Sequence, residues 1–272
     1  MDRRIRASLR AHLRAASRFG AAALVAAALS PAHAAADDDG PSATPYRPSV
    51  STPAALSAPG WLEIEAGLQH DRESAVARRD SAPLTFKLAF TPDWGVRVGV
   101  DAWVRGRDDA GSTNGVGDTS VVVKRRFAID DESAFGVEAG IGVPTARKGL
   151  EGGSGKPDWS LTGIYSADFG PWHSDVNVVA TRLGGPEAGT SRTEVLLAAG
   201  LSRALGDRWS VGAELSGTHR KGVEDTRQLL LAASYSVTRR FVVDVGAARS
   251  LRSGTPVWSA FTGFTWLAAR VF

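Results

Sequence analysis

The chain has 272 residues, 43% hydrophobic and 22% charged, with no cysteine and a formal net charge of +3. Six arginines and one aspartate fall in residues 1–34, so the remainder holds 26 basic and 28 acidic residues, a net of −2. The basic balance belongs to the leader and makes no case for nucleic acid as a partner; without cysteine, the fold must also be stable without disulfides.

Arg3, Arg4, Arg6, Arg10, Arg14 and Arg18 precede an apolar run from Phe19 to Leu29, followed by Ala32-His33-Ala34. A basic region, a short apolar core and a small-x-small site predict a secretory signal cleaved after residue 34. The apolar run is shorter than the ~20 residues that span a bilayer as a helix. Residues 35–60 combine Asp37-Asp38-Asp39 with Pro41, Pro45, Pro48, Pro53 and Pro59. Such composition predicts a disordered or polyproline-like periplasmic segment. The acidic triplet reads as a solvated run, and no metal or other cofactor is expected.

From Trp61 onward apolar and polar residues alternate, which is the strand signature. Leu62, Ile64, Ala66 and Leu68 oppose Glu63, Glu65, Gly67 and Gln69. Leu84, Phe86 and Leu88 oppose Thr85 and Lys87, and Val96, Val98 and Val100 oppose Arg97, Gly99 and Asp101, with Arg105 on the same parity. Val121, Val123 and Phe127 face away from Ser120, Lys124 and Arg126. Phe135, Val137 and Ile141 oppose Gly136, Glu138 and Gly140, and Trp159, Leu161 and Tyr165 oppose Thr162, Ser166 and Asp168. The second half repeats this with Asp175, Glu194, Glu214, Gln228 and Asp244 on the polar faces. The last strand carries Phe264 and Trp266 and closes on Phe272.

Short connections fall at Thr91–Gly95, Ala128–Ser133, Gly170–Pro171, Leu205–Arg208 and Thr238–Arg240. Longer polar ones fall at His70–Ala82, Gly106–Gly117, Pro144–Pro157, Leu183–Arg192, His219–Thr226 and Ser250–Pro256. Aromatic residues gather beside the short set, among them Phe90, Trp94, Phe127, Phe135, Phe169, Trp172 and Trp209. Short periplasmic turns, long outer loops and an interfacial girdle are the marks of an outer-membrane barrel. The fold class is therefore all-β: a transmembrane antiparallel up-and-down β-barrel over residues 61–272, of about twelve strands within a range of about 10–14. Phe272 is expected to serve as the signal by which the barrel assembly machinery recognises and closes the last strand. The expected surroundings are outer-membrane lipid and the bacterial outer membrane.

Twelve inward charges are candidates for lining a pore: Lys87, Arg97, Asp101, Arg105, Lys124, Arg126, Glu138, Asp168, Asp175, Glu194, Glu214 and Asp244. The basic members cluster early in the chain and the acidic ones later, which predicts a transverse field across a water-filled lumen. The competing reading is a structural or adhesive outer-membrane barrel whose lumen is plugged by paired charges. His70, His173 and His219 are the histidines after the leader. None sits in a His-and-Ser spacing of the outer-membrane phospholipase kind, so no enzyme is expected and a hydrolase using His70 or His219 ranks last. Gly152-Gly153-Ser154-Gly155-Lys156 is followed by Pro157 where a phosphate-binding loop needs Ser or Thr opening a helix.

Gly115-Val116-Gly117-Asp118 leads through Lys124 to Phe127, and Gly140-Ile141-Gly142-Val143-Pro144-Thr145 follows. This pair of segments resembles an outer-membrane transporter family, the MetA-pathway of phenol degradation family. Arg125 stands where that pattern has an aromatic. The resemblance implies an outer-membrane channel for a small solute, with aromatic or other hydrophobic compounds as candidates. It brings no site residues with it.

Overall fold

The computed structural model describes residues 40–147, 155–252 and 256–272. The predicted signal sequence and the acidic triplet lie outside the described residues. Among the described residues thirteen strands follow one another: β1 Trp61–Arg72, β2 Arg78–Ala89, β3 Trp94–Asp108, β4 Gly111–Gly115, β5 Thr119–Ala128, β6 Ser133–Val143, β7 Asp158–Phe169, β8 Trp172–Arg182, β9 Thr193–Leu205, β10 Trp209–His219, β11 Gln228–Thr238, β12 Phe241–Ser250 and β13 Trp258–Arg270. Each of β5–β13 pairs antiparallel with its sequence neighbour, β3 pairs with β2 and β5, and β1 pairs with both β2 and β13. The sheet thus closes on itself as a twelve-stranded barrel, and β4 stands apart from the wall, paired with β3 alone. Closure leaves the wall no free edge, as a bilayer requires.

The exterior is apolar and the interior polar. Leu68, Leu161, Leu197, Leu215, Leu231 and Val245 are exposed, whereas Glu63, Glu65, Lys87, Lys124, Glu138, Glu214 and Thr265 are buried. A water-soluble domain would reverse this pattern. Here the alternation of each strand places its apolar face outward, as in a transmembrane barrel. The girdle beside the short turns is reinforced by arginines: Arg125 lies over Trp94 and Phe127, Arg203 over Trp172, and Arg240 over Trp61.

Two strand ends differ from the sequence reading. The connection expected over His70–Ala82 is shorter, because cross-strand pairs extend β1 and β2. Asp71 accepts an ion pair from Arg79 at 3.7 Å on the inner face, and His70 Nδ1 meets Asp80 at 2.6 Å on the outer face. In β3 the register shifts beside Ala82 and Pro83, so that Trp103 pairs with Ala82 and Asp101 with Pro83. Ala102 is therefore an extra residue, a bulge that reverses parity beyond it. Val104 turns inward, 1% exposed, and Arg105 turns outward. The expectation that Arg105 lines the lumen is corrected by this single inserted residue.

The largest departure is at residues 41–60. Composition predicts disorder there, but the stretch runs inside the barrel. It enters at the short-turn end, where the Ala43 amide donates to the Arg239 carbonyl. It reaches mid-barrel where the Arg47 side chain lies against Gly67 and Gly263, then returns to the same end, where the Gly60 amide donates to the Ala89 carbonyl. An added Cβ at Gly67 would come within 2.5 Å of the Arg47 guanidinium. The segment cannot bury its own backbone, which is why its composition resembles a linker; the barrel wall supplies its partners instead.

Candidate functional site

The site is the lumen with the N-terminal segment in it. Strand alternation aims polar side chains inward at mid-barrel, and several of them accept backbone amides of the segment. Glu63 Oε2 accepts from the Thr44 amide at 2.7 Å and Glu65 Oε1 from the Tyr46 amide at 2.7 Å. Glu214 accepts from the Val50 amide at 3.1 Å, and from the Ser51 amide at 2.8 Å and hydroxyl at 2.6 Å. Asn177 binds Thr52 reciprocally, its Oδ1 accepting from the amide at 2.7 Å and its Nδ2 donating to the carbonyl at 2.9 Å. Ser166 Oγ accepts from the Ala54 amide at 2.7 Å and donates to Asp175. Arg47 pairs with Asp244 at 3.3 Å. Buried amides are thus satisfied one by one by side chains of the wall, as burial away from water demands.

The densest part surrounds Tyr46. Lys87 Nζ lies 3.8 Å from the ring centroid, Lys124 Nζ 4.3 Å and the Arg97 guanidinium 5.9 Å. The Tyr46 hydroxyl donates to the Ala55 carbonyl at 2.7 Å and accepts from Lys124 at 3.2 Å. Lys87 bridges Glu63 at 2.6 Å and Glu65 at 2.7 Å, while Glu138 takes Lys124 at 3.1 Å and Arg97 at 2.9 Å. Lys124 also donates to the Pro53 carbonyl. Three cations and three carboxylates therefore enclose one phenol ring. In a site removed from water, such pairing is what keeps each charge tolerable.

The candidate charges divide by height. Lys87, Lys124, Glu138, Glu214 and Asp244 are buried around the segment, with Arg97 beside them at its edge. Toward the short-turn end, Arg126 faces Asp93 at 4.0 Å, and Asp168 and Asp175 hold His173 between them at 2.6 and 3.1 Å. Toward the long loops, Asp101 binds Arg79 at 2.5 Å and Glu194 faces Arg220 at 3.6 Å. The expected separation into a basic and an acidic wall does not hold at mid-barrel. The β1–β2 hairpin sets Glu63 and Glu65 beside Lys87, and Glu138 of β6 reaches Lys124 and Arg97 directly. Glu63 and Glu65 were visible as the polar face of β1. Tyr46 and Arg47 carried no periodic signal, since they belong to no strand.

The histidines pair with acids rather than with hydroxyls. His70 meets Asp80, His219 meets Asp225 at 2.7 Å, and His173 meets Asp168 and Asp175. Among the described residues, no serine or threonine hydroxyl bonds to a histidine ring, the contact a serine hydrolase would need.

Solved outer-membrane barrels share this fold. The COG4313 outer membrane channel from Pseudomonas putida F1 superposes with a TM-score of 0.61 at 15% identity, over 78% of this chain and 97% of that one. The KdgM porin in complex with disordered oligogalacturonate gives 0.54 at 12% identity, over 76% and 99%. The NanC porin gives 0.54 at 9% identity, over 76% and 100%. At these identities the likeness is one of fold. No family model and no curated protein sequence matches the chain, so the family suggested by the Gly115–Phe127 motif is not among the matches.

Proposed function

We propose that this protein is an outer-membrane channel that passes a small solute, and that residues 41–60 set how freely it does so. The observation that carries the reading is the nature of the obstruction. The lumen is filled by a loop held through hydrogen bonds and ion pairs to side chains, and apart from a bridge between Pro59 and Ala89 it takes no part in the sheet. Such a filling can leave without breaking the wall. The same chain is proposed to be exported through its N-terminal leader and inserted by the barrel assembly machinery. For the solute, an aromatic compound is the favoured class: the lumen already receives one phenol ring, between Lys87 and Lys124, and the sequence resemblance points the same way.

The second reading is a sealed structural barrel, favoured by the dense ion pairs around Tyr46. Planar-bilayer recordings separate the two. The full chain is expected to give small, flickering openings, and a chain lacking residues 41–57 openings about tenfold larger. Silence from both chains would establish the sealed barrel instead. Uptake of a phenol against a sugar of similar size into loaded vesicles tests the solute class.

A further inference from the structure

The outer face of the barrel carries a line of arginines that the channel does not use. At the long-loop end, Arg249 of β12 pairs in register with Trp258 of β13, Trp258 with Arg72 of β1, Arg72 with Arg78 of β2, and Arg78 with Arg107 of β3. The next outward row holds His70, Asp80 and Arg105 on β1, β2 and β3. Strand alternation places these residues outside: their neighbours Asp71, Val104, Ala248 and Ser259 are buried inward.

Three arginines directly opposite one another are unfavourable. Partners in an antiparallel pair have Cα atoms about 4.5–5.5 Å apart, and like charges there repel. The inner face of the same strands shows how the chain neutralises an arginine when it needs to: Arg79 is bound by Asp71 and Asp101. The outer face has no such arrangement. Among the described residues, none of Arg72, Arg78, Arg105, Arg107 and Arg249 has an ion pair with a carboxylate. The carboxylate within the two rows, Asp80, is taken by His70.

The position of the line identifies what it faces. Directly below it the outer surface is apolar, with exposed Leu68, Phe86, Val98 and Val245, and Trp103 and Trp258 mark the upper edge of that band. Tryptophan at such a level marks the boundary between hydrocarbon and headgroups. The arginines therefore lie in the headgroup layer of the leaflet on the long-loop side. The short-turn rim differs. There Arg125, Arg203 and Arg240 each stack on an aromatic ring.

We propose that this arginine line binds the phosphate groups of a phosphorylated glycolipid of the lipid A kind in the outer leaflet. Guanidinium forks match phosphate oxygens in a two-point geometry, and a sugar bearing two phosphates can neutralise several neighbouring arginines at once. The anion converts the in-register repulsion into a multivalent site. The assignment rests on the outer-membrane reading above, because that leaflet is where such a lipid occurs.

The test uses the full chain, folded in detergent and mixed with diphosphorylated lipid A, dephosphorylated lipid A, phosphatidylglycerol or inorganic phosphate. Retained lipid is measured by native mass spectrometry, and stability by heat-modifiable gel mobility. The wild type is expected to hold diphosphorylated lipid A and to lose it when the phosphates are removed. The triple variant Arg72→Ser, Arg78→Ser, Arg107→Ser should bind it about tenfold or more weakly. In lipid-free detergent that variant should melt at or above the wild-type temperature, since repulsion is relieved, and lipid A should stabilise the wild type alone. Arg125→Ser with Arg203→Ser, at the opposite rim, should bind lipid A as the wild type does. Should the triple variant fail to fold, Arg78→Ser alone is read the same way. Equal retention by variant and wild type overturns the proposal. Equal affinity for phosphatidylglycerol overturns the glycolipid assignment, and displacement by millimolar inorganic phosphate reduces the site to a free-anion site. Fractionation of the protein away from the outer membrane would instead overturn the location, without touching the binding result.

Discussion

Lys87 is the residue on which the lumen depends most. It is 3% exposed, its ammonium bridges Glu63 and Glu65, it donates to the Thr44 carbonyl at 2.6 Å, and it caps the Tyr46 ring. Replacing one member of a buried ionic group leaves its partners charged and unpaired, which costs about 3–5 kcal/mol. Lys87→Met should therefore destabilise the folded protein by about that amount, read as a lowered urea midpoint of the heat-modifiable form; an unchanged midpoint would show that water reaches the carboxylates. Tyr46 separates two roles. Tyr46→Phe removes the hydroxyl bonds to Ala55 and Lys124 but keeps the ring among its cations, and should leave conductance near the wild-type level. Tyr46→Ala empties the enclosure and should raise open-channel current several-fold, while the barrel keeps its gel mobility. Equal currents from the two variants would refute a holding role for the ring.

At the scale of the element, the N-terminal segment and the last strand meet. The Val271 amide donates to the Gly60 carbonyl at 2.7 Å, and the Phe272 amide approaches the same oxygen at 3.4 Å. Gly60 has φ +77°, and a Cβ there would come within 2.6 Å of the Phe272 carbonyl oxygen, so only glycine fits. Deleting Phe272 should lower the amount of inserted barrel far more than an alanine at the girdle residue Trp209, measured as surface-exposed protein in whole cells. Comparable levels would remove the terminal aromatic from the assembly step. The strands themselves were legible, because a half-buried strand writes its two faces into alternate residues. Arg105 was misread because one inserted residue, Ala102, reverses every face beyond it, and a bulge leaves the alternation looking intact. Residues 41–60 were illegible for a deeper reason. Their acceptors Glu63 and Glu65 stand 19 residues further on, in the strand that follows, and Asn177 and Glu214 stand 125 and 163 residues further on; no local pattern encodes an acceptor that another part of the chain provides.

For the whole molecule, the distribution of side chains inverts that of a soluble domain, with leucine and valine outside and paired charges within. The inversion was readable from the sequence because closing the sheet needs only a choice of which face points in. Height within the lumen was less so. Strand parity says that Asp101, Glu138 and Asp168 all point inward. It does not say that they lie at three levels, the first with Arg79 near the loops, the second against the segment and the third with His173 by the turns.

Residues 41–60 enter and leave the lumen at one rim, by Arg239 and by Ala89. A stretch anchored in this way is a bight of rope, both of its legs passing through one mouth. The wall can close first and receive the bight afterwards, and the bight can be drawn out and returned any number of times without a knot. The pull that withdraws it must act from the short-turn side, where both of its legs emerge. Force applied there to the leg ahead of Ala43 would unzip the contacts of Thr44, Tyr46 and Arg47 in sequence, before those of Ser51 and Thr52.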